Sequence, residues 1–251
     1  MVITARMYLI VLPLVFVASL IDAISGGGGL ISLPAYMVTG MPSVLASGSN
    51  KLSASVGTAT AAVRYLKSGK VLLLPALCAA ALAVPGAFLG AELLGLVPEN
   101  VYRVVVLVLV PLMALLTLLS RGGTERTKAM NGARLGLCAL TGLLCGLYDG
   151  FFGPGTGVLL ILGFHWIAGM DTVTASGSAK LCNLASNITA LAVHLVNGNI
   201  LFALAVPAML VSALGGYAGS TLAIRRGAGL IRLVMLLVMA ALVVRLALEY
   251  L

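Results

Sequence analysis

Apolar residues fill eight long runs along the 251-residue chain, and short polar stretches separate them. The runs extend from 7 to 38, 43 to 66, 71 to 96, 101 to 120, 134 to 164, 172 to 197, 200 to 224 and 230 to 249. A helix needs about 20 predominantly apolar residues to cross a bilayer. The pattern therefore predicts an all-α, multi-pass integral membrane protein, with little chain left for a domain outside the bilayer.

The composition excludes a water-soluble enzyme. Hydrophobic residues make up 61% of the chain and charged residues only 9%, against about 25% charged in soluble domains.

There is no HExxH motif, and the two histidines have no Cys or Ser partner at a useful spacing. The four cysteines form no CxxC pair, and no glycine run fits a nucleotide fingerprint. We therefore expect no enzyme activity, no metal and no cofactor.

The net charge of +8 comes largely from three basic clusters between apolar runs. The clusters are Arg64, Lys67 and Lys70; Arg121, Arg126, Lys128 and Arg134; and Arg225, Arg226 and Arg232. Short cytoplasmic loops of membrane proteins carry an excess of Lys and Arg. This distribution predicts three loops on the cytoplasmic side and accounts for the charge without a nucleic-acid partner.

The chain contains an internal repeat. The segment 22–30 matches 149–157, each beginning with Asp and continuing into a glycine-rich stretch, at an offset of 127. Lys51 matches Lys180 at an offset of 129, and at the same offset Gly86, Gly90 and Arg103 match Gly215, Gly219 and Arg232. The match predicts an N-terminal repeat of four segments at 1–120, a cytoplasmic linker at 121–133 and a C-terminal repeat of four segments at 134–251.

Equivalent loops of the two repeats carry reversed charge. The loop 64–70 has three cations where 193–199 has only His194, and 225–232 has three arginines where 97–103 has one. Reversed bias predicts repeats of opposite orientation, an inverted repeat. Inversion requires an odd number of spans, so we expect the first segment of each half to break at its glycines and return to its side of entry. A full crossing by 7–24 would instead make the repeats parallel.

Two glycine-rich loops are candidate anion-binding elements. Four successive glycines are unfavourable in a helix, and non-helical backbone inside a bilayer persists only where it is buried in protein or lines a cavity. Exposed N–H groups beside a helix N-terminus favour anions. The predicted contributors are Gly27, Gly28, Gly29, Gly155, Thr156 and Gly157. The alternative is a glycine patch that only packs helices.

Two lysines interrupt the apolar runs at equivalent positions. A charge in mid-membrane costs at least about 2.5 kcal/mol and usually faces inward with a partner, although a lysine near a helix end can also reach the interface. Helical spacing gives each lysine polar neighbours, and the predicted substrate-binding side chains are Asn50, Lys51, Ser55, Thr58, Lys180, Asn183 and Asn187. Asp22 and Asp149 precede the glycine loops and could pair with the lysines, cap a helix or take up protons.

These motifs resemble those of the TauE/SafE sulfite exporter family. The resemblance rests on Gly26-Gly-Gly-Gly-Leu-Ile-Ser-Leu-Pro34, Gly48-Ser-Asn-Lys-Leu52, Tyr148-Asp-Gly-Phe-Phe-Gly-Pro-Gly-Thr-Gly157 and Ala179-Lys-Leu-Cys-Asn183. It covers nearly the whole chain, in order. It implies a secondary transporter that exports a small sulfur-containing anion, sulfite or an organosulfonate such as sulfoacetate, across the bacterial inner membrane.

The residues and the resemblance together predict an alternating-access transporter with its site between the two glycine loops, Lys51 and Lys180. An anion-selective channel is the alternative, because lysines and glycine loops would also serve a pore. Two GxxxG pairs, Gly86 with Gly90 and Gly215 with Gly219, permit close helix crossing. That crossing could lie within the chain or form a homodimer.

Overall fold

The computed structural model describes residues 4–96 and 127–250, and this part of the chain is a bundle of α-helices without strands. The predicted run at 101–120 lies outside the described residues, as do Arg103, Arg121 and Arg126. The helices are α1 Ala5–Ser25, α2 Gly29–Met37, α3 Ser43–Lys67, α4 Leu73–Leu96, α5 Gly132–Phe151, α6 Thr156–Leu162, α7 Thr172–Val196, α8 Phe202–Arg226 and α9 Ala228–Tyr250. A π-helical turn, Gly163–Ile167, extends α6.

Four of the described helices are long and apolar enough to cross a membrane: α1, residues 73–93 of α4, α7 and α8. Large apolar side chains also cover the outside of the bundle, where Leu77, Leu210 and Leu214 are all more than half exposed. An exterior of this kind is stable in lipid and unfavourable in water. The protein is therefore an all-α membrane protein.

Each half begins with a long helix and a short one, separated by a glycine-rich break. α1 ends at Ser25 and α2 begins at Gly29, with Gly26 and Gly27 at φ +77° and +90°. α5 ends at Phe151 and α6 begins at Thr156, with φ +86° at Gly153 and +89° at Gly155. Glycine adopts this left-handed region without steric cost, so the sequence itself ends the two helices here.

The two breaks contact each other backbone to backbone. A Cβ atom added to Gly26 would lie 2.3 Å from the carbonyl carbon of Gly157, and one added to Gly157 would lie 2.6 Å from Cα of Gly26. Any side chain at either position would overlap the other loop. The glycines thus allow the two interrupted helices to meet inside the bundle.

Hydrogen bonds fix the relative directions of the central helices. The start of α3 meets the end of α7, where Oγ of Ser47 lies 3.3 Å from Nε2 of His194. The end of α3 meets the start of α7, where the Tyr65 hydroxyl lies 3.1 Å from Oγ of Ser176. α3 and α7 are therefore antiparallel, although they occupy equivalent places in the two halves of the sequence.

Contacts recur at equivalent positions of the two halves. The N–H of Leu201 donates to Oγ of Ser49 over 2.9 Å, and the N–H of Leu72 donates to Oγ of Ser178 over 3.1 Å. Both members of the second contact are shifted by 129 from the first, which is the offset of the sequence repeat. Equivalent residues of the two halves therefore form the hydrogen bonds that join one half to the other.

Small residues allow α4 to cross α5 and α1 to cross α8 at close range. Added Cβ atoms at Gly86 and Gly90 would lie 2.3 and 2.1 Å from carbonyl oxygens of α5. At Gly215 and Gly219 they would lie 2.4 and 2.1 Å from carbonyl oxygens of α1. Both GxxxG pairs therefore lie against helices of the same chain.

The described basic residues of the three clusters gather at one end of the bundle. The end of α3 lies beside the end of α8, where Nε of Arg64 donates to Oγ1 of Thr221 over 3.2 Å. The N–H of Lys128 donates to the carbonyl of Gly169, just before α7 begins at this end. This end, with α3 and α8 ending and α5 and α7 beginning, is called the basic end below.

Asp171 anchors the segment before α5 to the N-terminus of α7. Its Oδ1 accepts from the N–H groups of Val173 and Thr174, at 3.1 and 3.0 Å, and its Oδ2 accepts from the Thr127 hydroxyl at 2.7 Å. Burial acts to raise the pKa of Asp171, but the hydrogen bonds from Thr174 and Thr127 and the charge of Lys70 outweigh it and lower the pKa. The carboxylate therefore remains charged at neutral pH and caps α7.

Glycine-to-alanine substitutions along α5 test the close crossing. Gly146→Ala should lower the free energy of unfolding by about 1 to 3 kcal/mol, because its Cβ would lie 2.4 Å from the Ala83 carbonyl oxygen. Gly136→Ala is the matched control in the same helix, where nothing lies within 4 Å of the added atom, and it should be neutral or stabilising. Thermal unfolding in detergent measures both, and equal midpoints for the two variants would contradict the crossing.

Candidate functional site

A polar cavity lies where the two glycine-rich breaks approach α3 and α7. The cavity has a volume of about 60 Å³. Its polar lining comes from both halves of the chain and comprises Ser19, Asp22, Gly27, Gly28, Gly29, Ser32, Ser47, Asn50, Lys51, Ser53, Thr58, Asp149, Gly153, Gly155, Thr156, Gly157, Asn183, Asn187 and Ser212. A concave site with convergent polar groups between the helices of a bundle is typical of small-ligand binding.

Lys51 supplies the cation of this cavity. It is the ninth residue of α3, and its Nζ donates to Oδ2 of Asp149 and to Oδ1 of Asn187, each over 2.9 Å. The side chain is 10% exposed and the Asp149 side chain 3%. Lys51 therefore points inward with a charged partner, and it does not reach for the membrane surface.

Lys180 occupies the equivalent ninth position of α7 but has different surroundings. Its side chain is fully buried and does not line the cavity. Its Nζ lies 3.0 Å from Oδ2 of Asp22 and also donates to the main-chain carbonyl of Asp22 at the end of α1. The two lysines are thus equivalent in sequence and in pairing, but only Lys51 is accessible from the cavity.

The two ion pairs cross between the halves of the chain. Lys51 of the first half binds Asp149 of the second, and Lys180 of the second half binds Asp22 of the first. Breaking a buried pair by removing one partner typically costs about 3 to 5 kcal/mol, because the remaining charge stays uncompensated. Each half therefore supplies the counter-charge that the other half needs.

Each aspartate also binds the glycine loop of its own half. Oδ1 of Asp22 accepts from the N–H of Gly28 over 3.2 Å, and Oδ1 of Asp149 accepts from the Thr156 hydroxyl over 3.0 Å. One carboxylate oxygen thus holds the loop and the other holds the lysine of the opposite half. This geometry supports both the pairing role and the loop-capping role considered for the two aspartates.

Two buried polar groups of the lining have no partner among the described residues. Oδ1 of Asn50 and Oγ of Ser212 make no hydrogen bond, although Asn50 is 9% exposed and Ser212 only 1%. A buried polar group without a partner costs about 1 to 3 kcal/mol. The hydroxyl can donate as well as accept, and a half turn of the amide presents its NH₂ group in place of the oxygen. Both residues belong to the cavity lining.

The structure brings most of the sequence-predicted site residues together. Residues of both glycine loops, Asn50, Lys51, Thr58, Asn183 and Asn187 line the cavity with Asp22 and Asp149. Ser55 does not: its hydroxyl donates to the Lys51 carbonyl over 2.7 Å, and its side chain lies in a second, lateral groove. Lys180 lies beyond the cavity wall, as described above.

Sequence reasoning missed several serines of the lining. Ser47 lies four residues before Lys51 and belongs to the same helical face, so the spacing that identified Thr58 could have identified it. Ser19 and Ser212 lie on α1 and α8, where the serine hydroxyls can bond to the backbone of their own or a neighbouring helix. No spacing rule connects them to Lys51, and only the packing of α1 and α8 brings them to the cavity.

The cavity lies in the half of the bundle away from the basic end. Most of its α3 residues, including Ser47, Asn50 and Lys51, belong to the first half of that helix, and Thr58 lies just past its middle. Arg64 and Lys67 are in its last turn. Asn183 and Asn187 belong to the central and later part of the antiparallel α7. The contact between Gly26 and Gly157 and the buried Lys180 pair lie between the cavity and the basic end.

Comparison with known proteins agrees with the motifs. The family model described as "Sulfite exporter TauE/SafE" matches residues 11–246. A probable membrane transporter protein of a Sinorhizobium species is 35% identical over 233 residues, covering 92% of this chain and 88% of its own. One of Haemophilus influenzae is 35% identical over 219 residues (86% and 85%), and the probable membrane transporter YfcA of Escherichia coli is 34% identical over 225 residues (89% and 83%). No solved structure matches the chain significantly. The chain is a membrane transporter of the TauE/SafE sulfite exporter family.

Proposed function

We propose that the protein exports sulfite, or an oxyanion of similar size, across the bacterial inner membrane by alternating access, with Lys51 as the principal anion-binding residue. The observation that carries the proposal is the cavity itself. It joins one accessible ammonium group, the two asparagines of α7 and two buried polar groups without partners. A small oxyanion in a membrane needs a charge partner and several donors to replace its water.

The donors available at Lys51 suit an anion. The ammonium group has three N–H donors, and two of them bind Asp149 and Asn187, so one remains for a ligand. The amide of Asn183 and the hydroxyl of Thr58 also line the cavity. Together they form a polar shell around a single positive charge. A lysine holds an anion as a point charge and releases it more readily than a two-pronged guanidinium does.

Asp149 regulates this site as an internal competitor. Its carboxylate already neutralises Lys51, so an entering anion has to displace it from the ammonium group. Two negative groups close together in a buried site repel each other strongly. This competition keeps binding weak enough for release.

The size of the cavity favours sulfite over larger sulfonates. One water needs about 10 to 15 Å³ of such space, so the 60 Å³ available holds a handful of water-sized atoms. A sulfite ion fills about four such positions and sulfoacetate about eight, counting non-hydrogen atoms. Sulfite therefore fits within this space, whereas sulfoacetate exceeds it.

The two halves form an inverted repeat in the membrane. The antiparallel directions of α3 and α7 and the recurrence of contacts at the repeat offset support this arrangement. By the positive-inside rule the basic end faces the cytoplasm. Segment 7–38 then enters from the outside along α1 and turns back through α2, and the cavity faces the outside half of the membrane.

Exchange between the repeats supplies alternating access. In transporters with inverted repeats, one half can adopt the conformation of the other, and the site then opens to the opposite side. The difference between Lys51, which lines the cavity, and Lys180, which is buried, represents one end state of such a cycle. In the other state Lys180 lines a cavity towards the basic end and Lys51 is buried with Asp149.

The structure favours a transporter over the anion-selective channel. A channel needs a continuous path past its charged groups. In the described part of the chain, a path from the cavity to the basic end would have to pass the contact between Gly26 and Gly157 and the buried Lys180 pair. Passage therefore requires a conformational change, as in a carrier.

Neutral substitutions at the Lys51 pair test the binding site. Lys51→Gln should abolish thermal stabilisation of the purified protein by sulfite, because it removes the charge of the cavity, whereas Asp149→Asn should strengthen sulfite binding because it removes the competing carboxylate. Isothermal titration calorimetry measures both affinities. Lys70→Gln, which removes an exposed lysine outside the cavity, is the control and should bind like the parent. Parent-like sulfite binding by Lys51→Gln would refute the assignment.

A second variant tests the exchange between repeats. Lys180→Gln combined with Asp22→Asn should not weaken sulfite binding, because Lys180 does not line the cavity and the change at Asp22, which does, removes a negative charge from the lining, but it should reduce sulfite transport in proteoliposomes at least tenfold. The neutral pair avoids leaving one buried charge without a partner. Transport at the parental rate would contradict a role for Lys180 in the second state.

Cysteine labelling tests the topology. In a cysteine-free background, Thr39→Cys and Asn197→Cys should both react with a membrane-impermeant thiol reagent added outside intact cells, because each lies at the end of the bundle away from the basic residues. Ser68→Cys should react only after the cells are opened. Labelling of Thr39→Cys only after lysis would exclude the inverted, re-entrant arrangement.

A further inference from the structure

A lateral groove separate from the cavity runs along α3 towards the basic end. It is an open groove of about 620 Å³ between α3, α7 and α8. Its walls are largely apolar and include Val56, Val63, Leu184 and Ile188. Val63 and Ile188 are about half exposed, at 49% and 52%, so the groove is open to the lipid around the bundle.

Two cations lie at one end of this groove. Arg64 and Lys67 belong to the last turn of α3. The guanidinium carbon of Arg64 is 5.8 Å from the centre of the Tyr217 ring, and its Nε donates to Oγ1 of Thr221. These contacts hold Arg64 against the wall while leaving its terminal NH₂ groups without a hydrogen bond in the described part of the chain. None of the described residues lining the groove is acidic.

The positions of α7 that correspond to Arg64 and Lys67 in the sequence repeat carry apolar residues. At the repeat offset of 129, Arg64 corresponds to Val193 and Lys67 to Val196. The seam between α3 and α7 therefore carries two cations at the basic end and apolar residues at the other. An apolar groove with cations at one end matches a phospholipid, which has an anionic phosphate above apolar chains.

We propose that this groove binds one anionic phospholipid of the leaflet at the basic end, with its phosphate on Arg64 and Lys67 and an acyl chain along Val56, Val63 and Ile188. The bound lipid covers the seam between α3 and α7, the helices that carry the two site lysines. The site favours a lipid whose headgroup keeps a net negative charge, because Arg64 and Lys67 repel the ammonium group that a zwitterionic lipid carries beside its phosphate.

Native mass spectrometry of the full chain in a neutral detergent tests the proposal, with phosphatidylglycerol and phosphatidylcholine of identical acyl chains as probes. The parent should bind phosphatidylglycerol at least tenfold more tightly than phosphatidylcholine. Arg64→Gln with Lys67→Gln should lower the phosphatidylglycerol affinity about tenfold or more, as expected for two cations at a lipid phosphate. Arg225→Gln with Arg226→Gln removes the same charge at the same end, outside the groove, and should have little effect.

Filling the groove gives a test that leaves all charges in place. Ile188→Trp should lower the phosphatidylglycerol affinity by occupying the position of the acyl chain. Equal affinities of the parent for the two lipids would overturn the proposal, as would equal losses in the two arginine-containing double variants. Binding of inorganic phosphate as tightly as the lipid, or conversion of a dimer to a monomer by Ile188→Trp with lipid binding unchanged, would assign the groove to a free anion or to a second copy of the chain.

Discussion

The fold depends on the exchange of counter-charges between its two halves. A lysine and an aspartate inside a bilayer are each costly alone, and each is tolerable here because the partner comes from the other half of the sequence. Neither half can bury its own charges by itself. Both pairs form because α3 packs against α7 and because the glycine breaks place each aspartate beside the lysine of the other half.

The glycine breaks make that exchange possible. An uninterrupted helix would keep its backbone groups bonded within itself and would present side chains to its neighbour. The breaks instead let two main chains touch at Gly26 and Gly157 and place each aspartate between its own loop and the opposite lysine. The same arrangement places polar groups around a cavity inside the bundle.

Much of the fold was predictable from hydrophobic periodicity and the repeat. The predicted runs at 43–66 and 172–197 differ by one residue from α3 and α7, and the positions of the helix breaks follow from the glycines. The membership of the family also followed from the motifs. These features are local, because composition, length and glycine content decide them without reference to the rest of the chain.

The inequality of the two lysines could not be predicted, because the sequence treats Lys51 and Lys180 alike. It arises from tertiary packing, which places the cavity beside Lys51 and encloses Lys180 with Asp22. Ser55 was predicted to line the cavity because it lies four residues after Lys51. Residues four apart share a helical face only approximately, and the cavity lies on the face of α3 that carries Ser47 and Thr58. The serines of α1 and α8 depend on tertiary contacts that no local pattern records.

The contact between Gly26 and Gly157 has a mechanical consequence. Two main chains in direct contact leave no room between them for a methyl group. A larger residue at either position would therefore force the two breaks apart, together with the aspartates that bind them. The geometry of the cavity thus depends on the lack of two side chains.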